Sequence, residues 1–148
     1  MLLLVLLETA SHLSTGCRKQ SQQEIFEVEG VLTVNGEPAA NASLAFHPLD
    51  RDSNPRCPVG RTDTHGHFHL TTHSDFDGAP PGDYAVTIVW PDESSLIDDC
   101  NCSDFLQHDR LKGFYGNADQ SEIRVTVQRS ANSFRFDAWR PRGDDPSP

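Results

Sequence analysis

From residue 25 onward, apolar and polar residues alternate with a period of two, and turn-forming residues interrupt the alternation repeatedly. Neighbouring side chains of an extended chain point to opposite faces, so this rhythm describes short strands with one dry and one wet face rather than packed helices. "VEGVLTV" is the first such run, and it ends in Asn35-Gly36, a pair suited to the positive φ angles of a tight hairpin turn. "ASLAFHP" is expected to return from that turn, and Pro48 to stop it, because proline has no N–H for the ladder. "VGRTD" and "HFHLTT" form the next hairpin around Gly66. In the strand "DYAVTIVW", Tyr84, Val86, Ile88 and Trp90 share one face, and Ala85, Thr87 and Val89 share another that is apolar enough to be partly covered. A long acidic connection from Pro91 to Ser121 follows, then "EIRVTVQRS" and "NSFRFDAW", with Ile123, Val125, Val127, Phe134 and Phe136 inward. Seven short strands with no helical pattern predict an all-β protein, a seven-stranded antiparallel Greek-key β-sandwich over residues 25–139.

At 148 residues the chain suits one domain with a single core. Twelve Lys and Arg against 22 Asp and Glu give a formal charge of −10, which repels phosphate backbones, so nucleic acid is not an expected partner. No apolar run reaches the roughly 18–20 residues of a spanning helix. Residues 1–17, "MLLLVLLETASHLSTGC", are expected to act as a signal segment or an abbreviated lipoprotein signal. Gly16-Cys17 resembles the lipobox of bacterial lipoproteins, in which the cysteine becomes lipidated. Leu13 lies one place too far from Cys17 and Glu8 breaks the apolar run, so plain secretion and a cytosolic protein remain alternatives. Residues 18–24 are polar enough to tether a folded domain, and 140–148 form an expected disordered tail.

Four segments together resemble a known family: "GVLTVNGEPAANASLAFHP", "GRTDTHGHFHLTT", "GAPPGDYAVTIVWP" and "DRLKGFYGNADQSEIRVTV". In order and spacing they are similar to the carboxypeptidase-regulatory-like, or transthyretin-like, domains of bacterial envelope lipoproteins, with the "TDxxGxFxL" turn at 62–70 and "PPGxYxVTI" at 80–88 as the most specific parts. The resemblance covers about residues 28–138 and implies a prealbumin-like sandwich, an extracytoplasmic envelope location and a structural or binding role. Its partner would be an envelope protein or glycan.

Candidate sites follow from individual residues. His65, His67, His69 and His73 crowd the stretch 64–73. Histidines at i and i+2 of a strand stand about 6.6–7 Å apart at the backbone, so His67 and His69 offer half of a zinc or copper site, with His65 or an acidic residue as the third ligand. The competing expectation is that all are solvated, with Phe68 and Leu70 inward, and that no cofactor is bound. Cys57, Cys100 and Cys102 are disulfide candidates if the protein is exported. Phe105, Phe114 and Tyr115 are either partner anchors on the long connection or a cap on the core. No GxSxG elbow or HExxH motif is present, and the end reads "RPRGDDPSP" where transthyretin-like hydrolases carry Tyr-Arg-Gly-Ser, so the expected protein is not an enzyme, a hydrolase being the remote alternative.

Overall fold

The structure, a computed structural model, describes residues 23–52, 54–92 and 108–139. Eight strands make one continuous sheet: β1 (Val28–Val34), β2 (Glu37–Pro38), β3 (Ser43–Pro48), β4 (Val59–Arg61), β5 (His67–Thr71), β6 (Gly82–Val89), β7 (Arg124–Val127) and β8 (Asn132–Ala138). A single turn of 3-10 helix, Ala118–Gln120, precedes β7. The hydrogen-bonded path runs β2-β1-β5-β4-β3-β6-β7, and β8 lies on the free side of β1.

That order forces the sheet to curl. β7 and β8 occupy opposite edges, yet β7 ends at Val127 and β8 begins at Asn132. The intervening chain reaches about 18 Å at most, whereas seven flat strands would set their edges about 29 Å apart. The sheet therefore bends into a half-barrel that brings its edges together. Asn132 holds the short connection: its Oδ1 accepts from the Gln128 N–H at 2.8 Å, and its own N–H donates to the Glu27 carbonyl at 2.9 Å.

Two expectations need correction. The sheet is antiparallel except at one place, since β8 runs parallel to β1 from Val28–Asn132 to Val34–Ala138. The longer strands do alternate in direction along the chain, but the last turn crosses to the far edge of the sheet, where the seventh of them, β8, meets the first, β1, running the same way. The Asn35-Gly36 turn does form, with φ of 51° and 81°, but only Glu37 and Pro38 return along β1. "SLAFHP" pairs instead with β4 and β6.

The concave face holds the core, and side-chain parity places its residues as the alternation predicts. Phe46 of β3 lies at the centre, its ring centroid 6.4 Å from Phe68, 6.0 Å from Tyr84, 6.1 Å from Phe134 and 6.3 Å from Phe136. Each buried ring or large aliphatic here stabilises the fold by about 1.5–3 kcal/mol. Gly30 makes the close packing possible, because a Cβ there would stand 2.6 Å from the Phe68 ring and 2.4 Å from the Phe134 carbonyl. Tyr84 is fully buried; its hydroxyl donates to the Pro80 carbonyl at 2.7 Å and accepts from Asn54 Nδ2, and burial pushes its pKa up to about 12.

The described part of the long connection closes one end of the core. Leu111 is fully buried, and Asp109, itself buried, accepts the N–H groups of Trp90 and Leu111 on Oδ1 and of Gly113 on Oδ2. The Arg110 guanidinium stacks 3.5 Å above the Trp90 ring, while Trp90 Nε1 donates to Ala40.

Candidate functional site

The convex face carries the features that packing does not explain. Parity turns Ser43 and Ala45 of β3, Val59 and Arg61 of β4, His67, His69 and Thr71 of β5, and Thr87 and Val89 of β6 outward. The register aligns Thr87, Ala45, Val59 and Thr71 in one row across the strands. Along that row runs a groove of about 810 Å³, lined by Ala45, Val59, Thr71, Phe76 and Thr87 among others. Its floor is mostly apolar, with Arg61, Asp63, His67 and His69 along its polar margin.

Phe76 forms one wall of the groove and is 67% exposed. The loop that carries it is tightly held. Asp77 Oδ1 accepts the Thr72 N–H at 2.7 Å, and Oδ2 accepts those of His73 and Ser74, both at 2.9 Å. Thr72 Oγ1 donates to the Gly78 carbonyl, and Phe76 N–H donates to Thr71 Oγ1. Partial burial pushes the Asp77 carboxyl upward, but the backbone donors of Thr72, Ser74 and His73 outweigh it and hold its pKa below the ordinary aspartate range. Phe76 takes a φ of 60°, a conformation that costs a bulky L-residue about 1–2 kcal/mol. An exposed aromatic in a strained position on a stiff loop is an arrangement that core packing does not require.

His65, His67 and His69 are all exposed, and Phe68 and Leu70 are buried. The "TDxxGxFxL" segment proves to be turn chemistry. Asp63 Oδ1 accepts the His65 N–H at 2.8 Å and the His67 N–H at 2.9 Å, and Gly66 has a φ of 79°. The His67 and His65 amides hold the Asp63 carboxyl below its usual pKa. The three imidazoles are not brought together as one set. His69 lies directly across from Glu29 in the β1–β5 register, and His67 across from Val31. Glu27, Glu29 and His69 place one ligand atom each within 4.8 Å of the others, and they form the one such group of potential metal ligands among the described residues. The Phe76 ring meets the His69 ring edge-on at 5.6 Å.

Cys57 is an exposed free thiol whose Sγ is 3.8 Å from His47 Nδ1. His47 Nε2 is 2.9 Å from Thr87 Oγ1, and burial first, then Arg51, lowers the pKa of the ring. Tyr115 is partly buried against the core, and its hydroxyl accepts the Trp139 N–H at 2.9 Å. Phe114 meets Trp139 edge-on at 6.2 Å and is about half exposed. Cys17, Cys100, Cys102 and Phe105 lie outside the described residues.

No known family, no curated protein and no solved structure matches this chain. The site must be read from its own geometry.

The sequence reading missed Glu27, Glu29, Phe76 and Asp77. Two of these had a signal: "EVE" places Glu27 and Glu29 on the wet face by the same parity that put His69 there.

Proposed function

We propose that the protein is a non-catalytic binding module with the carboxypeptidase-regulatory-like, transthyretin-like form of Greek-key sandwich, tethered in the cell envelope through a lipid on Cys17. The observation that carries the binding role is the convex-face groove, walled by Phe76 on a loop that Asp77 stiffens. Its volume of about 810 Å³ falls within the range of ligand-binding clefts, and a mostly apolar floor with few polar groups at the margin is their usual chemistry. An apolar floor favours a hydrophobic side chain of an envelope protein over a glycan, whose hydroxyls need more polar partners. The stiff loop supports the same reading, since a wall ordered beforehand lowers the entropic cost of binding.

Photo-crosslinking in native envelopes tests the proposal. A photoreactive residue at Val59 or Phe76 is expected to capture a protein partner. The same group at Arg135 or Asp137, which point outward from β8, is expected to capture none. Equal capture at both places, or none at either, counts against the groove. Mass analysis of the mature protein tests the tether: a chain beginning at an acylated Cys17 supports it, and an unmodified Cys17 in that chain overturns it.

A further inference from the structure

We propose that Glu27, Glu29 and His69 bind one divalent transition-metal ion, zinc first among them, on the convex face where β1 meets β5. The inference goes beyond the groove reading and does not depend on it. Its basis is register. Pairing of Glu29 with His69 puts a carboxylate and an imidazole side by side, and Glu27, two residues earlier, points the same way. Ligand atoms at about 2.0–2.2 Å from zinc stand about 3.3–3.6 Å apart around a tetrahedron. Atoms already within 4.8 Å of one another reach that spacing by small side-chain rotations.

The electrostatics point the same way. Among the described residues, no side chain or backbone N–H pairs with the Glu27 or Glu29 carboxylate. Two carboxylates side by side repel, and a divalent cation converts that repulsion into attraction. The donor set selects the metal. Two carboxylate oxygens and one imidazole nitrogen suit zinc and its neighbours, whereas calcium takes six to eight oxygens and would find too few here. Phe76 against the His69 ring restricts that ring's motion, and water completes the coordination on the open side.

The site differs from an HxH pair in which residues matter. His69 is a ligand in both, but the β1–β5 site needs Glu29 and Glu27 and is indifferent to His67. Zinc chloride is titrated into the full chain after its thiols are alkylated, so that cysteines do not compete. Calorimetry reads affinity and stoichiometry, and NMR of the histidine ring nitrogens reads which imidazole responds. The expected result is one zinc per chain with a micromolar or tighter Kd and a shift confined to His69. His69→Ala, Glu29→Gln and Glu27→Gln are each expected to weaken binding by about 10- to 100-fold, with His67→Ala within about twofold of the wild type. These side chains are exposed, so circular dichroism of each variant is expected to match the wild type. Affinity unchanged in His69→Ala or Glu29→Gln, an equal loss in His67→Ala, or only millimolar, multi-site binding overturns the assignment.

Discussion

Two loops in this molecule are built alike and put to opposite uses. In each, a single aspartate gathers three backbone N–H groups: Asp109 those of Trp90, Leu111 and Gly113, and Asp77 those of Thr72, His73 and Ser74. Each also contains a bulky residue in the left-handed region, Lys112 at φ 53° and Phe76 at φ 60°. The Asp109 loop delivers Leu111 into the core, fully buried, and the hydrophobic gain offsets the cost of ordering the turn. The Asp77 loop holds Phe76 two-thirds exposed and recovers little of that cost by burial. Stiffness that packing does not reward is what supports the proposal that the second loop, with the groove beside it, serves binding.

The comparison breaks most readily at Asp109. Asp109→Ala strands two donors that lie within the core and is expected to cost about 2–4 kcal/mol, read by chemical denaturation. Leu111→Ala is expected to cost about 2–5 kcal/mol, and the double variant less than the sum, since one carboxylate positions the other residue. Full additivity would mean that Asp109 acts without Leu111 and would dissolve the parallel between the loops.

Asp77 is the milder counterpart. Asp77→Asn keeps one acceptor oxygen and is expected to cost about 1 kcal/mol, with loss of the fixed Phe76–His69 contact in NMR spectra. Its pH dependence has a definite sign. The folded carboxyl has a pKa below the ordinary aspartate range, so the loop's extra stability is complete above that range and is lost as pH falls through the lower folded value. Hydrogen exchange at the Thr72, His73 and Ser74 amides is expected to lose protection over that acidic window in the wild type and to be flat there in Asp77→Asn. Equal pH dependence in both would remove Asp77 as the organiser.

How much of this could be read in the chain differs between the faces. Alternation alone located all the longer strands and put Phe68, Leu70 and Phe136 inside and His67 and His69 outside, because parity is a local property of extended backbone. What parity cannot supply is register between strands far apart in sequence. Glu29 and His69 are neighbours only because β1 pairs with β5, and the parallel pairing of β8 with β1 depends on a sheet that curls until its edges meet. Turn residues had the same limit. That the second aspartate of "DFDG" holds three amides and aims Phe76 outward depends on where Thr71 and Leu70 lie in the sheet.

The smallest expected stability change is also the most discriminating. Phe76→Gly removes a side chain that buries little and relieves its left-handed strain, while adding backbone freedom to the unfolded chain. These effects nearly cancel, so stability is expected to change by less than about 1 kcal/mol, in the stabilising direction if strain dominates. Partner capture from Val59 is nevertheless expected to fall, because the groove has lost its wall. A variant that folds as well and binds worse would mean the phenylalanine is kept for its exposed face. One that loses several kcal/mol would instead make Phe76 a structural residue like Leu111, and the contrast between the two loops would disappear.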